Sequence, residues 1–165
     1  DADGDADIIP ALAAPGYGLA WIEQTNPNQW KQNTIINAEP EESPYGIKFS
    51  QLHAIDLADI DGDGLLDIIT GKRFWAHGPK KDQEPNAPAV LYWFQLTRKG
   101  KAVEYIPHQI DDNSGIGTQV AAGDVNGDGT LDIVVGNKKG AFVHLHTVKK
   151  VSQKEWQAAQ PKKLK

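Results

Sequence analysis

The chain has 165 residues, which is long enough for one ordinary domain with a buried core. It contains no cysteine, so disulfides and thiolate chemistry are excluded, and its formal net charge at pH 7 is −5. No run of about 18 apolar residues is present, which excludes a membrane-spanning helix. Because the sequence opens at Asp1 with neither an initiator Met nor a signal sequence, we expect it to be a processed or trimmed piece of a longer protein.

In chain order, the sequence predicts a succession of short β-strands. Runs of β-branched and aromatic residues are bounded by Gly, Pro, Asn and Asp, which is typical of strands joined by turns. The predicted strands cover residues 7–11, 19–24, 30–36, 49–57, 67–71, 90–96, 102–110, 118–123, 132–136 and 141–148. The longest predicted loop covers residues 72–88. Residues 149–165 are predicted to form a basic tail with a short helix over residues 152–160.

One motif organises these strands. The pattern Asp-x-Asp/Asn-Gly-Asp-Gly-x-x-Asp occurs at residues 59–67 and again at residues 124–132, and the two copies begin 65 residues apart. Residues 1–7 match the same pattern from its third position onward. A fixed period of this size indicates a repeat architecture.

The motif has the chemistry of a cation-binding loop. Side-chain oxygens at positions 1, 3 and 5, glycines at 4 and 6 and a backbone carbonyl at 7 can surround a hard ion, and Ca²⁺ suits such a flexible oxygen set. An EF-hand would carry Glu at position 12, where this chain has Thr70 and Val135. The acidic closure comes at position 9, as Asp67 and Asp132, and an apolar β-branched run follows at once. The loop is therefore predicted to lie between two strands.

An acidic turn without metal is the alternative for each loop. In that case several carboxylates crowd one turn, and like charges 4 to 5 Å apart repel by roughly 3 to 4 kcal/mol per pair at an effective dielectric near 20. The repetition of the motif therefore favours a bound cation.

The predicted fold class is all-β, an array of β-propeller blades with four antiparallel strands each. If the strands of a blade are lettered A to D, with the metal loop between A and B, residues 49–110 form one complete blade. Residues 1–37 supply strands B to D of the preceding blade, and residues 117–148 supply strands A to C of the following one. Propellers close with about four to eight blades. Fewer than three blades make a partial propeller, so the remainder of a longer chain or other subunits would be needed to close the ring.

This pattern resembles the FG-GAP or VCBS-type repeat of integrin α-subunit propellers and of many secreted bacterial proteins. The resemblance extends to about residue 148 and implies structural Ca²⁺ ions and an extracellular, secreted or periplasmic location. The implied ligands of one site are Asp59, Asp61, Asp63, the carbonyl of Leu65, and Asp67. Those of the other are Asp124, Asn126, Asp128, the carbonyl of Thr130, and Asp132. A third, truncated site would use Asp1, Asp3, Asp5 and Asp7. Asn126 removes one charge, so weaker binding is expected at its site.

Function is predicted on the face opposite the metal loops, because antiparallel connectivity brings the B-to-C and D-to-A loops together there. The candidate ligand-binding residues are Arg73, Trp75, His77, His53 and Tyr45. Aromatic rings stack on sugars or peptides, and an Arg forks onto carboxylates. The expected role is therefore a binding or adhesion module for a glycan or a protein. Alternatively, Phe74 and Trp75 only pin a long loop to the blade below.

Other functions were weighed against binding. A carbohydrate-active enzyme, a polysaccharide lyase or hydrolase, could use His53, Arg73, His77 or His108, with a His as general base. The chain could also be a non-catalytic scaffold beside a catalytic domain. We assign no catalytic residue and favour a non-enzymatic role. His144 and His146 share one face of a strand, where they could hold a metal or be ordinary strand residues. No nucleic-acid partner is expected.

Overall fold

The computed structural model describes residues 3–164, which form three antiparallel sheets in succession along the chain. The first sheet contains β1 (Leu19–Asn26) and β2 (Gln29–Ile36). The second contains β3 (Ile55–Ala58), β4 (Asp67–Gly71), β5 (Leu91–Lys99) and β6 (Ala102–Asp111). The third contains β7 (Val120–Gly123), β8 (Asp132–Asn137) and β9 (Gly140–His144). The all-β prediction is confirmed, and the small antiparallel sheets are consistent with a partial propeller.

Strand β4 shows why the second sheet is the centre of the molecule. All five of its residues are buried, since the sheet is covered on both faces. Ile68 and Ile69 alternate along the strand and point to opposite faces. Ile68 packs in the core between the first and second sheets, and Ile69 packs in the core between the second and third. Coverage on both faces explains the unbroken apolar run after Asp67.

Two separate cores hold the three sheets face to face. The first core joins residues such as Leu19 and Ile36 of the first sheet to Phe94 of the second. The second core joins Leu91 of the second sheet to Val135 of the third. Successive sheets therefore stack as neighbouring blades do in a propeller.

Three predicted strands differ from the structure. Residues 7–11 make only isolated bridges, Ile8 with Ile22 and Ala11 with Leu19, because Pro10 has no N–H to donate to a ladder. The strand predicted over residues 49–57 begins at Ile55. Gln51 has a φ of 64°, in the left-handed region, which interrupts an extended chain.

The third difference concerns the last strand, predicted over residues 141–148, which ends at His144. Beyond it, the backbone N–H of His146 donates to the Asp132 carboxylate at 2.8 Å instead of to a neighbouring strand. A side chain therefore replaces the strand ladder at this point.

The tail after the third sheet folds back along the second sheet. It contains helix α1 (Gln153–Ala159), which is capped by Ser152. Further on, Lys163 forms a 2.7 Å ion pair with Glu104 of β6. The N–H of Leu164 donates to the carbonyl of Pro44 at 2.9 Å. Within residues 3–164, no helix has the length and apolar character required to cross a membrane.

Candidate metal loops and the opposite face

Two loops of identical design connect the first pair of strands in the second and third sheets. Residues 59–66 link β3 to β4, and residues 124–131 link β7 to β8. In both loops, the backbone at positions 4 and 6 has a positive φ, which favours glycine. In the first of them, Gly62 has a φ of 76° and Gly64 a φ of 89°, and a Cβ at either position would meet nothing within 4 Å.

The residue at position 1 folds each loop around its own carboxylate. In the second sheet, Asp59 accepts hydrogen bonds from the backbone N–H groups of Asp63 and Gly64, at 3.0 and 2.9 Å. In the third sheet, Asp124 accepts from the equivalent groups of Asp128 and Gly129, at 3.2 and 2.9 Å. The two loops therefore share one backbone path.

The residue at position 9 ties each loop to a more distant strand. Asp67 is fully buried, and its Oδ2 accepts from Ile60 N–H at 3.0 Å while its Oδ1 accepts from Leu96 N–H of β5 at 2.8 Å. Asp132 is equally buried and accepts from Val125 N–H at 3.1 Å. Its other oxygen accepts the His146 bond described above.

Burial has an electrostatic consequence at Asp67. It raises the pKa of this carboxyl to about 6, and the nearby charges of Asp61 and Asp63 add to the effect. Two backbone hydrogen bonds act in the opposite direction without cancelling it. A cation placed beside these carboxylates would favour their ionised forms.

Among the residues the structure describes, one acidic group has the spacing of a metal site. Asp59, Asp61 and Asp67 each offer an oxygen, and the three oxygens lie within 4.8 Å of one another. Two oxygens bound to one Ca²⁺ at about 2.3 to 2.6 Å can be up to roughly 5 Å apart, so the spacing fits. The donor set is all oxygen, which suits a hard cation.

The predicted loop ligands are not all equally placed. Asp63 stands outside the group of three and accepts from Leu65 N–H at 2.8 Å. A further residue at this loop is Gln95 of β5, whose Nε2 donates to Asp61 Oδ2 at 2.5 Å. No local motif marks Gln95, because it reaches the loop only through strand pairing.

The third-sheet loop is more closed on itself. Both oxygens of Asp128 are engaged by side chains, from Asn126 Nδ2 at 2.9 Å and from Thr130 Oγ1 at 2.5 Å. Hydrogen bonding by Thr130, with a further contribution from Asn126, lowers the pKa of Asp128. An aspartate at this position would repel Asp128, whereas the amide of Asn126 donates a hydrogen bond to it.

The truncated loop at the N-terminus keeps the same connection to its sheet. Asp1 lies outside the described residues, and Asp3 and Asp5 are exposed. Asp7, at position 9, accepts from Gln24 N–H of β1 at 2.9 Å and from the Trp21 indole at 2.8 Å. An aspartate therefore anchors the corresponding strand in each of the three sheets.

On the opposite face, residues 72–88 form a long loop that is internally braced. Trp75 adopts a φ of 49°, its ring stacks on Phe74 at 4.6 Å, and its indole N–H donates to Pro85 O at 3.0 Å. Lys138 of the third sheet donates to the carbonyl of Trp75 at 2.5 Å. These contacts agree with the alternative that the two aromatic rings pin the loop.

Arg73 and His77 are the two predicted ligand-binding residues of this loop whose side chains do not brace the loop. Arg73 is half-buried and forms no ion pair with the described residues. His77 is exposed, and its Nδ1 lies 3.2 Å from the buried carboxylate of Asp82. Asp82 also accepts from the N–H groups of His77 and Gly78, so it fixes the turn that carries the imidazole.

The other residues predicted on this face lie outside the loop of residues 72–88. His53 is exposed and lines a groove between β3 and β7 with Thr118 and Gln119. The hydroxyl of Tyr45 donates to Glu104 of β6 instead of joining the loop. His108, expected near the same face, stacks on Trp93 at 4.6 Å and lines a groove with Gln95 of β5 and Trp156 of helix α1.

The base of the long loop holds a buried polar pair, Lys72 and Ser50. Lys72 is 1% exposed, and its Nζ donates to Ser50 Oγ at 3.0 Å. Ser50 in turn donates to the carbonyl of Gln83 at 2.9 Å. Burial lowers the pKa of Lys72. The local sequence around Lys72 does not predict this pair, because the hydrogen bond joins Lys72 to Ser50, which lies 22 residues earlier in the chain.

The fold and the loops define a class of protein, a repeat module of the β-propeller type. Residues 116–143 match the model of the FG-GAP repeat, so the chain carries a repeat of the FG-GAP type. The matched segment contains β7, the third-sheet metal loop, β8 and most of β9. FG-GAP repeats often bind calcium and are typically extracellular. No curated protein and no solved structure matches the chain.

Proposed function

We propose that this chain is a calcium-stabilised module of an extracellular protein, and that it binds a glycan or a protein through the face opposite its metal loops. The observation that carries the proposal is the convergence of Asp59, Asp61 and Asp67 on one point, with oxygens within 4.8 Å of one another. Further chain or other subunits would complete the ring around the three sheets.

In the second-sheet loop, Asp59, Asp61 and Asp67 would hold the ion, with Asp63 and the carbonyl of Leu65 as the remaining expected ligands. In the third-sheet loop, the expected ligands are Asp124, Asn126, Asp128, the carbonyl of Thr130, and Asp132. The ion would supply positive charge that offsets the repulsion among these carboxylates. Since Asp67 also holds β5, ion binding would reinforce the sheet itself.

The binding role rests on the loop of residues 72–88. A loop of this length without secondary structure is uncommon in a compact domain and is usually functional. Arg73, which forms no ion pair within residues 3–164, can take a carboxylate as a forked partner, and His77 is held in one orientation by Asp82. The guanidinium charge of Arg73 and the exposed imidazole of His77 favour an acidic ligand, such as a uronate-containing glycan.

An enzymatic role for His53, Arg73, His77 and His108 would require these side chains to converge. Only Arg73 and His77 share a loop, whereas His53 lines a separate groove and His108 lines another one beside helix α1. Binding without turnover is therefore the better-supported function.

The test uses oligogalacturonate as an acidic probe and dextran as a neutral control, both titrated into the protein in millimolar Ca²⁺. Arg73→Ala combined with His77→Ala is expected to abolish binding of the acidic probe. Arg98→Ala is the matched control, because Arg98 lies at the turn between β5 and β6 on the metal-loop side. Retained binding in the double variant, or probe cleavage that the double variant abolishes, would contradict the proposal.

A further inference from the structure

Unpartnered imidazole nitrogens occur in β6 of the second sheet and at the end of the third sheet. Within residues 3–164, four buried side-chain polar atoms have no hydrogen-bond partner, and three of them are imidazole nitrogens. They are Nε2 of His108, Nε2 of His144 and Nδ1 of His146. Most buried polar atoms in proteins are satisfied, so a cluster of exceptions indicates a missing partner.

Two of these three histidines line the same cavity. His144 and His146 both line a space of about 450 Å³ between the sheets. They alternate with Leu145, which is 56% exposed on the other side of the chain, so the two imidazoles share one side. Trp93 and Gln109 of the second sheet line the same space, and the Oε1 of Gln109 already accepts a 2.9 Å hydrogen bond from the Tyr92 hydroxyl.

The backbone holds both histidines in place. His144 pairs with Ile133 in the β8–β9 ladder. The N–H of His146 donates to the fully buried carboxylate of Asp132 at 2.8 Å. Two side chains whose backbone is held in this way are partly organised for a shared ligand, which lowers the entropic cost of binding it.

The chemistry of this pair differs from that of the acidic loops. Loop carboxylates suit calcium, whereas imidazole nitrogen is a preferred ligand of zinc, copper and nickel. His108 stacks on the far side of Trp93 and lines a different cavity, so it is not part of the pair. We propose that His144 Nε2 and His146 Nδ1 bind a divalent transition-metal ion such as Zn²⁺ in this cleft, separately from the calcium loops, with water or Thr147 completing the coordination.

Zinc titrated calorimetrically into the protein in saturating Ca²⁺ tests this proposal. We expect one zinc site, with affinity reduced at least about tenfold in His144→Ala and in His146→Ala. His53→Ala is the matched control and is expected to keep the zinc affinity, because His53 lies in a different groove. Unchanged zinc affinity in both cleft variants would overturn the proposal, as would loss of zinc binding when Ca²⁺ is raised.

A second readout does not depend on the variants being folded. In the unmodified protein, imidazole resonances followed by ¹H–¹³C NMR are expected to shift with zinc for two histidines, and to remain in place for His53 and His77. Zinc that moves no pair of imidazole resonances, or that moves all five histidines alike, would contradict the site.

Discussion

The carboxylate of Asp67 joins a metal loop to a distant strand, because its Oδ1 accepts a 2.8 Å hydrogen bond from the backbone N–H of Leu96. Its Oδ2 accepts from Ile60, at the start of the loop. Asp132 makes the equivalent bond to His146 in the third sheet. The residue that closes the loop thus also holds the sheet, so an ion bound by Asp67 would stabilise both.

Replacing Asp67 with Asn tests this link. An amide offers one acceptor oxygen where the carboxylate offers two, so one buried backbone N–H loses its partner. We expect a loss of about 1 to 3 kcal/mol in the free energy of unfolding, measured by urea denaturation in EGTA at pH 7. Asp61→Asn is the matched control, since Asp61 is exposed and should change this free energy far less. Equal losses in the two variants would contradict the role of Asp67.

The raised pKa of Asp67 predicts a pH dependence of the metal-free protein. The folded-state pKa of about 6 lies above the ordinary value of 3.8, so between these values the folded state holds a proton that the unfolded state has released. The stability contributed by this group is complete below about pH 4 and is lost as the pH rises through about 6.

The measurement is urea denaturation in EGTA at pH 4.5 and pH 7, for the unmodified chain and for Asp67→Asn. The difference in unfolding free energy between the two proteins should be larger at the lower pH, because only the unmodified chain titrates at this position. Calcium affinity should follow the opposite trend and rise with pH, since the ion requires the ionised carboxylate. A pH-independent difference would argue against the buried, protonated form.

Asn126 is expected to set the balance between metal-free stability and calcium affinity in the third-sheet loop. Asn126→Asp removes the 2.9 Å hydrogen bond that the Asn126 amide donates to Asp128, and it adds a negative charge beside the Asp128 carboxylate. The variant should melt at a lower temperature in EGTA and bind Ca²⁺ more tightly. The reciprocal change Asp61→Asn should weaken calcium binding in the second-sheet loop. Calorimetry that finds both affinities unchanged would show that neither residue is a ligand.

Gly64 tests whether the metal loop depends on its left-handed backbone. Its φ of 89° is unfavourable for any residue with a side chain, although a Cβ there would touch nothing. Gly64→Ala should therefore cost about 1 kcal/mol or more of unfolding free energy. Gly123→Ala is the matched control, because that glycine has equal space and no positive φ. Urea denaturation that ranks the two variants equally would contradict the conformational argument.

The sequence predicted those features that repeat. The period, the position-9 aspartates and the strands that follow them are local patterns, and β4 begins at Asp67 and ends at Gly71 as expected. The positions where predicted strands are interrupted were less predictable, because each interruption depends on a single residue. Pro10 removes a donor, and Gln51 turns the chain into the left-handed region.

Long-range contacts were beyond local patterns. Gln95 reaches Asp61 only because β5 lies beside β4, and no sequence spacing indicates that approach. Tyr45 was expected on the ligand face, yet its hydroxyl finds Glu104 on the outer strand of the second sheet. Each of these positions is decided by the packing of whole sheets, which local sequence patterns do not reveal.

The most direct test of the account is thermal melting of this chain in EGTA and in millimolar Ca²⁺, with Mg²⁺ as the control ion. A ligand that binds only the folded state adds about 2.7 kcal/mol per site at a hundredfold excess over its Kd. If the acidic loops bind calcium, Tm should rise by several degrees in Ca²⁺ but not in Mg²⁺, and the rise should be much smaller in Asp67→Asn. An identical Tm in EGTA and Ca²⁺ would mean that the acidic loops are turns without ions, and the central claim would fail.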